Sequence, residues 1–114
     1  MSGVRTAAVV LALLALASPS KAGEPAFSAA ELAELCISKY DTDYGYCAGY
    51  VSAVAGLLLK QSVGGYSACS FERVKSQQFV DIFKTYADIF PDHMKLDADV
   101  AVAAALARAF PCKK

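Results

Sequence analysis

Residues 44–60 read YGYCAGYVSAVAGLLLK, and the reading of this stretch decides the fold. Lys60 is its only charged residue, and apolar or small side chains fall on nearly every side. A helix of that composition is expected to be a buried central element. The competing pattern, strand alternation, is sustained neither here nor elsewhere in the chain. Gly45, Gly49, Ala53 and Gly56 recur at spacings of four, four and three and form a small-residue stripe. Glycine costs a helix up to about 1 kcal/mol per residue. Three in one helix therefore predict close packing against a neighbour.

Upstream, Asp41-Thr42-Asp43 reads as a turn with two possible N-caps. Before it, Phe27-Ser28-Ala29-Ala30-Glu31-Leu32 gives a helix start, with Ser28 and Glu31 as a capping box and Phe27 and Leu32 as a hydrophobic staple. This first helix extends to about Lys39. Downstream, residues 61–70 (QSVGGYSACS) form a loop broken at Gly64-Gly65. Phe79, Ile82, Phe83, Tyr86, Ile89 and Phe90 then make the stripe of a third helix, residues 76–90, which Pro91 ends. After a second loop, 91–96, Asp97 caps a fourth helix carrying Val100, Ala103, Ala104, Ala107 and Phe110. Arg108 suits the negative end of that helix's dipole, and Pro111 stops it. The expected fold is all-α: a small four-helix up-down domain.

The N-terminal stretch stands apart. Arg5 precedes an apolar run from Thr6 to Ala17, of signal h-region length, and Ser20-Lys21-Ala22 supplies small residues for a signal peptidase. The run is short of the roughly 20 residues that span a bilayer. Residues 1–22 are thus expected to be a cleaved signal peptide and 23–114 the mature domain, exported to the periplasm and not stably inserted in a membrane. Loss of Arg5 and Lys21 leaves nine basic residues against eleven acidic ones, a net charge of about −2. That balance argues against nucleic acid as a partner, which needs a basic face.

Cys36, Cys47, Cys69 and Cys112 are an even set in a small exported domain, the pattern of two disulfides. Their spacings of 11, 22 and 43 lack the paired CxxC of structural zinc sites and of redox or haem motifs. In an up-down bundle, successive helix ends alternate between two poles. Cys36 and Cys47 share one pole; Cys69 and Cys112 share the other. The second helix, about 25 Å long, separates the poles by more than a disulfide spans. Cys36–Cys47 with Cys69–Cys112 is therefore favoured among the three connectivities.

Catalytic chemistry finds no constellation. His93 is the only histidine and reads as a surface loop residue, since Asp92 and Met94 complete no motif. Asp41 and Asp43 read as helix caps, not as an acid–base pair. Ser67 and Ser70 lack a GxSxG context, and Gly64-Gly65 lacks the lysine and strand of a phosphate loop. Tyr44, Tyr46 and Tyr50 read as core and pole packing ahead of a binding face. No metal site, cofactor or catalytic residue is expected, and the chain reads as a binder, not an enzyme.

Several segments resemble one family. Tyr46-Cys47-Ala48-Gly49-Tyr50-Val51 looks like a YCxGYI motif, with Ala53 where a glycine often follows. Cys69 opens what resembles a CxP turn, although Ser70-Phe71 replaces the usual residues, the proline included. Residues 76–80 and 86–91 resemble a Q-V-YL-hP helix, and Ala104 to Cys112 (AALARAFPC) resembles a closing ALxxAFPC. Together they are similar to the Rap/Tai family, the resistance-associated and type VI amidase immunity proteins, over about Leu32 to Cys112. The resemblance implies a helical periplasmic protein that forms a homodimer, uses no cofactor, and binds a type VI secreted peptidoglycan amidase so as to block its active-site cleft. The alternatives are a small helical periplasmic chaperone and an envelope interaction module of unknown partner. Within the immunity reading, residues 62–68 are the expected contact. Gly64 and Gly65 give freedom, Tyr66 is an anchor among small neighbours such as Ser67, and Cys69 tethers one end. Residues 92–97 are the second choice.

Overall fold

A computed structural model describes residues 27–113; the expected signal segment and its cleavage site lie outside the described residues. Four helices follow in order: α1 (Ala29–Ile37), α2 (Asp41–Leu58), α3 (Ser76–Ile89) and α4 (Ala98–Ala109), with a 3-10 helix at Pro91–Lys95 before α4. Every pair of α-helices touches. Among the described residues there is no strand, only the isolated bridges Ser28–Asp97 and Val63–Tyr66.

The helix ends carry the local chemistry, with two shifts from expectation. Ser28 caps α1 by accepting from the Glu31 N–H at 3.2 Å. Phe27 packs edge-on to Tyr46 and Tyr50 of α2, at 5.7 and 5.4 Å between ring centres. The first shift is in α2, which begins at Asp41, not near Tyr44, so Asp41 and Asp43 occupy its first turn rather than its cap. There their carboxylates face the positive end of the dipole, and Asp43 also accepts from the Ser38 hydroxyl at 2.6 Å. The second shift is in α4. Asp97 holds the N-cap position, but its side chain makes no capping bond. The Ala98 N–H is already taken by the Phe27 carbonyl at 3.0 Å, and Asp99 accepts from the Val100 N–H at 2.8 Å. At α3 the Gln78 side chain accepts from the Lys75 N–H, closing the N-terminus one turn in.

The central helix is α4, not α2. Ala98 and the whole run Ala101–Leu106 are buried. These side chains are alanine, valine and leucine, small enough for neighbouring helices to close in from all sides, which is the condition for an all-round apolar helix. In α2 only Cys47, Val51, Val54, Ala55 and Leu58 are buried. Its glycine stripe faces outward, because glycines bring no apolar surface to drive burial. The core fills with Leu32, Val51, Val80, Phe83, Val102 and Leu106 between the helices.

Both disulfides form as the pole argument predicts: Cys36–Cys47 and Cys69–Cys112, with Cα atoms 5.1 and 5.0 Å apart. Under the second lies an aromatic cluster of Phe71, Phe79 and Phe110. Phe71, part of the sequence departure after Cys69, is thus a core residue, and Ser70 beside it turns the chain at φ +60°.

Candidate functional site

The segment singled out from sequence, residues 62–68, is a miniature β-hairpin. Val63 and Tyr66 exchange two backbone hydrogen bonds, at 3.0 and 2.9 Å. Gly64 and Gly65 turn the chain at φ +58° and +86°, the paired positive values of a two-residue hairpin turn. The Ser62 and Ser67 hydroxyls bond across it at 2.7 Å. Val63 and Ala68 are buried on either side, and the Cys69 N–H is fixed to the Phe110 carbonyl at 2.9 Å. The glycines therefore serve a tight turn, where sequence reasoning expected freedom. A Cβ on Gly64 would stand 2.7 Å from a Val100 methyl, so the tip rests on the start of α4. Gly64, Gly65, Tyr66 and Ser67 are exposed, Tyr66 at 37%. A surface held this firmly would lose little conformational entropy on binding.

A second group went unseen in the sequence. His93 lies in the 3-10 helix, half-buried, with Nδ1 hydrogen-bonded to the Tyr86 hydroxyl, so it is not a free loop histidine. Phe90 stacks on the His93 ring at 5.1 Å and lies 4.8 Å from Tyr86. The Arg108 guanidinium sits over Phe90, 5.3 Å from the ring centre. The Tyr86 phenol is pushed above its ordinary pKa by burial first and by the Tyr66 phenol next, while Arg108 acts in the opposite direction. The hairpin anchor Tyr66 and Arg108 therefore share a neighbourhood around Tyr86. The i, i+4, i+7 spacing of Tyr86, Phe90 and His93 was visible in the sequence. What hid the group was the continuation of α3 past Pro91 as a 3-10 turn, and the packing that brings Arg108 across.

The third surface is the outer face of α2. Gly45, Gly49, Ala53 and Gly56 are exposed, and a Cβ at any of the three glycines would meet nothing within 4 Å among the described residues. Tyr46 at 53%, Leu57 at 46% and Leu59 at 51% exposure flank them. Tyr46 stacks on Tyr50, at 6.4 Å, so these tyrosines both pack and present surface. The Tyr50 phenol is raised in pKa by burial, then by Asp99, Tyr46 and Asp97. Among the described residues no group of His, Cys, Asp or Glu is placed to hold a metal ion, and no helix is long and apolar enough to cross a membrane.

A family model described as Rap1a immunity proteins matches residues 28–112, the stretch that contains all four helices and both disulfides. No curated protein matches the chain.

Proposed function

The chain belongs to the Rap1a immunity protein family, and on that premise we propose that it acts in the periplasm as the inhibitor of a type VI secreted peptidoglycan amidase. It works by occupation, not chemistry: a rigid surface enters the toxin's cleft and excludes the cell wall, with no catalytic residue and no cofactor. The family match carries this reading. The hairpin supports the site, since the Val63–Tyr66 pairing and the Gly64–Val100 contact present Tyr66 and Ser67 on a pre-ordered turn. Tyrosine is a favoured interface anchor because it buries much area with few rotatable bonds.

The test is calorimetry against a type VI amidase, sought first among the genes adjacent to this one. Wild-type protein binds, and Tyr66→Ala, checked for helicity by circular dichroism, loses about 2 kcal/mol, or some thirtyfold in Kd. No binding by the wild type removes the immunity reading for that pair; unchanged affinity in the variant moves the contact elsewhere on the surface. Export is part of the proposal, with cleavage after Ala22. Intact-mass analysis of periplasmic protein is expected to give a chain starting at Gly23, and a retained N-terminus would refute processing.

A further inference from the structure

We propose that the cavity between α3 and α4 receives an acidic side chain of the partner protein, gripped by Arg108. The inference rests on the proposal that the partner is a protein. The cavity measures about 260 Å³ and is lined by Ile82, Thr85, Tyr86, Ala105 and Ala109, with Asp81 and Arg108 as its charged residues. That space suits one side chain, not a cofactor, since small-molecule sites run from about 300 Å³ upward.

Arg108 is set up for recognition. Among the described residues no carboxylate stands within 4.0 Å of its guanidinium. It is not left to wander, because the Phe90 ring holds it. A guanidinium resting on an aromatic face keeps its edge N–H groups free, and their fork fits a carboxylate in two parallel bonds. Phe90 is itself fixed by Tyr86 and His93, so ordering the arginine adds little cost on binding.

Asp81 sets the direction. It is the cavity's other charged residue, so a carboxylate that enters is repelled by Asp81 and drawn to the Arg108 guanidinium, which fixes the end at which it seats. Ile82 and Ala105 in the lining offer apolar contact to the aliphatic stem, which is longer in glutamate than in aspartate.

The probe is a pair of blocked dipeptides, acetyl-Glu-Leu-amide and acetyl-Gln-Leu-amide, titrated at millimolar concentration into isotope-labelled protein and followed by NMR. The glutamate peptide is expected to shift the Thr85 and Ala105 amides and the Arg108 Nε–H, and to bind about tenfold more tightly than its glutamine twin. Arg108→Gln, which keeps the stem and a well-dispersed spectrum, is expected to abolish the difference. Equal shifts from both peptides, no shift from either, or shifts that persist in Arg108→Gln would overturn the proposal. The peptides require no toxin, so this outcome separates from the immunity reading. An amidase that binds wild type and Arg108→Gln alike keeps the inhibitor and removes the pocket; peptide binding without amidase binding does the reverse.

Discussion

Ser70 and Gly64 show how one residue type can fit or strain the same backbone region. Ser70 is held at φ +60°, a conformation that costs an L-residue with a Cβ roughly 1–2 kcal/mol. Ser70→Gly removes that cost but returns some entropy to the unfolded chain. The expected net gain is below about 1 kcal/mol, read as a higher urea midpoint; an unchanged midpoint would mean that the turn carries no strain. Gly64→Ala goes the other way. Its φ of +58° and a 2.7 Å approach to Val100 predict a loss of about 1–3 kcal/mol and a hairpin tip lifted from α4. The phenols give a pH signature. Tyr50 and Tyr86 have raised pKa values in the folded protein, so on unfolding they ionise at lower pH than when folded. Their contribution is whole below the unfolded value near 10 and falls as pH rises through the folded values. Stability is therefore expected to drop above about pH 10, and Tyr50→Phe to flatten part of that drop in an alkaline unfolding series. An identical slope in the variant would place the effect on other groups.

At the scale of elements, what the sequence could say depended on whether a signal was local. The start of α1 followed from Ser28 and the end of α3 from Pro91, each acting within a turn of itself, while α1 stops at Ile37, two residues short of the expected Lys39. The disulfide pairing was legible because helix order alone places the poles. The identity of the central helix was not. Composition made α2 look buried, yet whether an apolar helix ends in the middle depends on how much of its circumference its neighbours cover, and α4 buries Ala98 and the run Ala101–Leu106 where α2 leaves its glycines exposed. The hairpin was read as a loose loop for a related reason: two glycines mark both freedom and a tight turn, and only Val63 opposite Tyr66 distinguishes them. The two disulfides differ in the chain they close, 43 against 11 residues. In the chain-entropy model they contribute about 4 and about 3 kcal/mol. They also differ in access, since Cys36 and Cys47 are buried and Cys112 is exposed. Thiol attack needs access to a sulfur. Under mild reductant, Cys69–Cys112 is expected to open first, and with it the larger share of stability. Peptide mapping of partially reduced, alkylated protein checks the order, and early labelling of Cys36 or Cys47 would contradict it.

For the whole molecule, the outer face of α2 poses an energetic question, and we propose a second copy of the chain as its answer. Three glycines together cost the helix about 2–3 kcal/mol relative to alanine, and nothing among the described residues uses the space they leave. From Tyr44 to Leu59 this helix has no charged residue to solvate it, although the exposed face of a surface helix is ordinarily polar. Another backbone against Gly45, Gly49 and Gly56 would turn the cost into contact, with Tyr46, Leu57 and Leu59 closing over its sides. The helix alone is too small for this: 18 residues, about 27 Å long and 10 Å across, cover roughly 270 Å². A stable interface takes about 800 Å² from each partner, so it must extend over the flanking groove of Ser52, Phe71 and Val74. We therefore expect a homodimer at tens of micromolar by light scattering after size exclusion. Gly49→Gln is the decisive variant. The position is open among the described residues and glutamine is the better helix former, so the monomer is expected to keep its helicity and gain thermal stability. Its longer side chain would hold a second helix away, so the dimer is expected to be lost. A wild type that elutes as a monomer, or a Gly49→Gln protein that stays dimeric, would assign the glycines of α2 to another contact.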